Sequence, residues 1–99
     1  MLYVLEGFDA RDALARRMQA RPAHLKRVEA LLLEGRLILA GPCPAIDSPD
    51  PGAAGFSGSL IVAEFASLSD AQAWMDADPY VTEQVFERTL VRPFRRVLP

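Results

Sequence analysis

The order of elements read along the chain, β-α-β-β-α-β, predicts an α+β domain of the ferredoxin-like kind, a split βαβ sheet with helices on one face. Three observations carry this. Apolar β-branched and aromatic runs occur at the start, the middle and the end of the 99 residues. Stretches with helical spacing separate the first from the second and the third from the last. A turn-rich connection alone joins the second run to the third.

Met1–Glu6 (MLYVLE) reads as the first strand, with Gly7 to Asp9 breaking it. Asp9–Gln19 reads as a helix with Asp9 at the N-cap, where its carboxylate would accept a backbone N–H. A second helix is expected from Pro22, a residue suited to a first turn, to Glu34, with Gly35 as its stop. Arg36–Ala40 is the second strand, ended by Gly41-Pro42. Ser59–Phe65 is the third. Ser67 and Asp70 form a capping-box pattern that starts a helix running to about Asp76. Asp78-Pro79 interrupts it, a short turn or helix follows around Tyr80–Gln84, and Val85–Val91 is the last strand. Pro93 confines any continuation to a sheet edge.

The composition fits one domain spanning residues 1–99. Net charge is −2, with 11 basic and 13 acidic residues, and no basic patch is interleaved with aromatics. This argues against nucleic acid and anionic membrane as partners. No apolar stretch approaches the ~20 residues of a membrane span. The opening segment lacks the basic region and cleavage site of a signal peptide. One cysteine, Cys43, excludes an intrachain disulfide. A cytoplasmic protein is expected.

Hydrophobic residues make up 51% of the chain, and their arrangement predicts a homodimer. Leu2 to Leu5, Leu37 to Leu39 and Leu60 to Ala63 are apolar on both faces of their strands. Helices bury one face only. A second copy of the same sheet is the simplest cover for the other, and a monomer covered by its own long loop is the alternative.

His24 is the only histidine. It falls on the apolar stripe of the Pro22–Glu34 helix, with Leu25, Val28, Leu31 and Leu32, while Lys26, Arg27 and Glu34 are expected to point away. Such a histidine is either a general base or a core-edge side chain bonded to a backbone carbonyl. Asp78, before Pro79, reads locally as a turn initiator, and Asp76 competes with it for any role beside His24. The Gly41–Ser57 connection is long for a hairpin. It is expected to be ordered and to serve as a lid on the cleft or an arm on the partner. Cys43, with no basic neighbour in sequence, is a poor nucleophile. A metal site would need His24 with Asp47, Asp50 or Asp78, a weak donor set, and no metal or cofactor is expected. Ser57 or Ser59 could complete a triad on paper, without a nucleophile-elbow motif. GxGxxG, P-loop, CxxC and HExxH motifs are absent.

Several segments taken together resemble one family. They are MLYVLEGFD at the start, Arg21-Pro22-Ala23-His24-Leu25, Gly35-Arg36-Leu37, Ala40-Gly41-Pro42, Asp47 to Phe56, Ala63-Glu64-Phe65, Ala77-Asp78-Pro79-Tyr80 and Arg92-Pro93-Phe94. In order and spacing they are similar to the YciI-like (YCII-related) family over nearly the whole length. The resemblance implies a ferredoxin-like fold that pairs into a dimeric α/β barrel, an architecture like that of muconolactone isomerase. It implies a His–Asp pair falling on His24 and Asp78. One related branch eliminates chloride from a chlorinated hydroxyhydroquinone, so lyase, isomerase or hydrolase chemistry by acid and base is the expected class. Arg21, Gly41, Pro42 and Tyr80 are the expected substrate-binding residues: Arg21 for an anionic group, Gly41-Pro42 for close approach of backbone. The competing expectation is a dimer that binds a small metabolite without catalysis.

Overall fold

A computed structural model describes all 99 residues. Four strands, β1 (Leu2–Asp9), β2 (Leu37–Pro44), β3 (Phe56–Glu64) and β4 (Phe86–Phe94), form one sheet in the order β2-β3-β1-β4. Every neighbouring pair is antiparallel. Helices α1 (Leu14–Leu33), α2 (Leu68–Asp76) and the short α3 (Pro79–Thr82) complete the expected α+β order. Alternate residues of β1 point to the helices: Tyr3 and Leu5 are buried, and they pair with the buried Ala63 and Ile61 of β3. Val28 and Leu31 of α1, Ala71 and Met75 of α2, and Val85 and Phe86 close the core over that face.

Two helices were expected before the second strand, and the chain forms one. Helix α1 runs through Pro22. Its buried stripe, Arg17, Ala20, His24, Val28 and Leu31, keeps helical spacing across the proline, so tertiary burial holds the register. An interior proline costs about 3 kcal/mol. Pro22 is exposed, so its ring displaces no core side chain. Leu32, expected on the stripe, is 58% exposed. Asp9 is not an N-cap: it stays in β1, and Ala13 occupies the cap without a side-chain hydrogen bond.

Strand β2 also runs further than expected, through Gly41-Pro42 to Pro44. It is an edge strand, so a missing N–H can face away from the ladder. Pro93 is likewise accommodated in the other edge strand, β4. Other local signals act as read. Gly35 takes a left-handed φ of 72° after α1, and its N–H donates to the Leu32 carbonyl at 3.0 Å. The Ser67 hydroxyl accepts from the Asp70 N–H at 3.1 Å at the start of α2. Gly7 has a different reason to be glycine: a Cβ there would enter the Phe86 ring. That ring in turn meets Tyr80 edge-on, centroids 5.4 Å apart.

The connection from β2 to β3 is closed by the Ala45 N–H donating to the Gly55 carbonyl at 2.9 Å and contains a 3-10 turn, Gly52–Ala54. It folds over α1, and Gly55 lies against Leu14. No helix is long and apolar enough to cross a membrane.

Candidate active site

Asp78 has two jobs. Helix α2 ends at Asp76, and Pro79 then opens α3, which forces the preceding residue into an extended conformation. Asp78 takes that shape, φ −68° and ψ 140°, and its Oδ2 caps α3 by accepting from the Tyr80 N–H at 3.0 Å. The same Oδ2 accepts from Nδ1 of His24 at 2.8 Å. Oδ1 accepts from Nη1 of Arg27 at 2.8 Å. The carboxylate is only 1% exposed and fully partnered. Asp76, the competing aspartate, is exposed and accepts from Gln72.

With Asp78 as a carboxylate, Nδ1 of His24 carries the proton and Nε2 is the free ring nitrogen. No buried side-chain nitrogen or oxygen lacks a partner, and Nε2 has none within the protein. It therefore opens to the cavity that His24 lines. The imidazole stacks on the Tyr80 ring, centroids 3.9 Å apart and planes 15° from parallel.

The cavity holds about 700 Å³ between α1 and the inward side of β2 and β3, a size suited to a small organic ligand. Leu25, Val28, Ile61 and Phe56 are among its apolar walls. Gly41 and Pro42 floor it, and Pro49 to Gly52 of the long connection rim it. Arg21 lines it as an exposed cation with no ion-pair partner, and Asp50 supplies a carboxylate at the rim. Of the residues expected from sequence, His24, Arg21, Gly41, Pro42 and Tyr80 all reach this space, and Asp78 stands directly behind His24.

Two arginines were not anticipated. Arg17, 3% exposed, forks onto Asp9 at 2.9 and 2.7 Å and gives a further bond to Ser59 Oγ at 3.0 Å. Its guanidinium lies 4.6 Å from the Tyr80 ring centroid. Arg27 was expected to point away from the stripe, yet it reaches Asp78. A residue three positions on is rotated only about 60° from His24, and a long side chain can sweep across that angle. The missed signal was an arginine on the buried stripe and another one turn after the histidine.

The serine triad that could be drawn on paper does not form. Ser59 is engaged by Arg17, and Ser57 bonds the Cys43 carbonyl, so neither joins His24. No group of three His, Cys, Asp or Glu side chains gathers closely enough to hold a metal ion. Cys43 is exposed and lies outside the cavity lining.

Burial raises the Tyr80 phenol above its ordinary value of 10.0, and the charges of Arg17 and Arg21 oppose that rise. At neutral pH Tyr80 is a protonated donor. Its folded value lies above its unfolded value, so its contribution to stability is whole below about pH 10 and is lost as pH rises through the folded value. Urea unfolding midpoints from pH 8 to 11 are expected to fall less steeply in Tyr80→Phe than in wild type. Parallel curves would contradict this.

Residues 1–95 match the YCII-related domain. The chain belongs to the YCII-related family. Protein YciI of Escherichia coli is 58% identical over 97 residues, covering 98% of this chain and 99% of that protein. An uncharacterised protein of Haemophilus influenzae is 42% identical over the same share of each chain. Among solved structures, this YCII-related chain is similar to 5-chloro-2-hydroxyhydroquinone dehydrochlorinase of Burkholderia phenoliruptrix in complex with 2,5-dihydroxybenzoquinone. The TM-score is 0.85 at 21% identity, with 98% of this chain and 96% of that one covered. A protein of Agrobacterium tumefaciens aligns with a TM-score of 0.52 at 13% identity. At these identities the two structures establish the likeness of fold.

Proposed function

We propose that this protein is a cytoplasmic homodimeric enzyme that moves protons on a small anionic or weakly acidic molecule, by lyase or isomerase chemistry. His24 serves as acid and base and Asp78 as its orienting carboxylate. The observation that carries the reading is the His24 ring. Nδ1 is held by a buried carboxylate at 2.8 Å, and Nε2 opens into an apolar-walled cavity. In such an arrangement the carboxylate fixes the tautomer and stabilises the imidazolium that forms when Nε2 takes a proton. Arg21 would steady the anionic part of the substrate. The Tyr80 phenol would donate to an oxygen on which charge develops.

The dimer reading rests on the outer sheet face. Leu39, Val62, Val4, Leu60 and Leu90 lie on the side of the sheet away from the helices, by their register with one another. Leu39 is 48% and Leu90 38% exposed. Sedimentation velocity at micromolar concentration is expected to give twice the chain mass.

The fold likeness to a dehydrochlorinase supplies a ligand to try. Calorimetric titration with 2,5-dihydroxybenzoquinone is expected to show binding that weakens about tenfold or more in Arg21→Ala, the loss of a charge-assisted contact. Equal affinity in wild type, Arg21→Ala and His24→Ala would overturn the assignment of this cavity. Binding without turnover of any chlorinated or hydroxylated ring would assign the chain to the metabolite-binding class instead.

A further inference from the structure

His24 and Arg27 leave α1 three residues apart and take opposite oxygens of one carboxylate. The two cations that could balance Asp78 are therefore a titrating imidazole and a permanent guanidinium. We infer that Arg27 is a positioning residue whose fixed charge balances Asp78, so that His24 rests as a neutral, Nδ1-protonated base. The inference rests on the proposed role of His24 and adds the residue that sets its resting state.

An uncompensated carboxylate with 1% exposure is strongly disfavoured. With imidazole as sole partner, the balance would come from protonating the ring, and Nε2 would lose its lone pair before any substrate arrived. Arg27 removes that demand. It is built in rather than loosely placed. Nη2 donates to the Trp74 carbonyl at 3.0 Å and the guanidinium lies 4.2 Å from the Trp74 ring centroid, which ties α1 to α2 as well as to Asp78.

The remaining charges around His24 point the same way, with one exception. Arg17 on α1 is matched by Asp9 of β1. Arg21, on the same helix, adds positive charge to the cavity, and Tyr80 of α3 remains a neutral phenol. Ser59 of β3 is uncharged. Asp50, on the long connection, is the one carboxylate lining the cavity. Without Arg27, Asp78 would dominate what the ring experiences.

Diethyl pyrocarbonate tests this without a substrate, because it acylates only an unprotonated ring nitrogen and the untagged chain has one histidine. At neutral pH, Arg27→Gln, which keeps a donor and removes the charge, is expected to slow carbethoxylation by roughly threefold or more, because the uncompensated carboxylate favours the protonated, unreactive ring. Arg27→Lys is expected to recover most of the rate. The double variant Arg27→Gln with Asp78→Asn, which removes the demand for a cation, is expected to return to the wild-type rate. A purely structural role predicts the opposite sign, since loosening the site exposes the ring and speeds the reaction. A rate that is unchanged or faster in Arg27→Gln therefore overturns the inference. If that variant fails to fold, the Arg27→Lys rate against that of Arg27→Met decides in the same way, and equal rates overturn it. The outcome is independent of the catalytic reading: loss of the proposed ligand or turnover leaves these rates as they are, and failure here leaves His24 and Asp78 in place.

Discussion

Replacing His24 with alanine is expected to lower kcat/KM by about 10²- to 10⁴-fold on the substrate the cavity accepts, the usual contribution of a positioned acid–base group. No other imidazole can substitute, because the chain has a single histidine. The expected loss falls in kcat. In the proposed reading His24 meets the substrate through Nε2 at the proton being moved, whereas Arg21, which lines the same cavity, serves as a binding cation. Arg21→Ala should accordingly raise KM with a smaller change in kcat. Steady-state kinetics on both variants, with circular dichroism to show that each is folded, checks the division of labour. Activity of His24→Ala within a few-fold of wild type would remove the imidazole from the chemistry.

How far the sequence carries this depends on whether the relevant signal is local. The sheet was legible because Leu2 to Leu5 and Leu60 to Ala63 are short unbroken apolar runs bounded by turn residues, and because Ser67 and Gly35 mark helix ends by chemistry that acts within four residues. His24 was legible as an inward residue for the same reason. Its partner was not. Asp78 is 54 positions away, and its local context, an aspartate before proline, describes a helix cap, which it also is. Only the resemblance joined the two. The errors have local causes too. Pro22 and the Gly41-Pro42 pair are breakers by propensity, yet an exposed helix side and an edge strand tolerate them. Asp9 has the composition of an N-cap, but Arg17 claims its carboxylate. Arg27 was assigned outward by angle alone, and angle ignores the reach of a guanidinium. The outer sheet face was legible as apolar, and its cover is a question about a second chain.

The other large effect concerns stability. Asp78→Ala is expected to destabilise the fold by about 2–4 kcal/mol. The loss of the α3 cap contributes about 1 kcal/mol, and the unpaired Nδ1–H of His24 about 1–3 kcal/mol. The Arg27 ion pair adds little to the sum, because the guanidinium keeps its bond to the Trp74 carbonyl and its 27% side-chain exposure lets water solvate the freed nitrogen. Against a total of roughly 5–15 kcal/mol for a domain of this size, the change is large enough to move a urea midpoint clearly at constant slope. Asp78→Asn provides the internal control. Its amide oxygen can still cap α3 or accept from His24, so its stability should lie between wild type and Asp78→Ala. Its activity should nevertheless fall far below wild type, because an amide cannot stabilise the imidazolium. Asp76→Asn should do neither, since that carboxylate is exposed and meets only Gln72. Asp78→Ala as stable as Asp76→Asn would mean that the three bonds to Asp78 contribute nothing net to the fold. An Asp78→Asn that keeps full activity would mean that His24 works without its carboxylate.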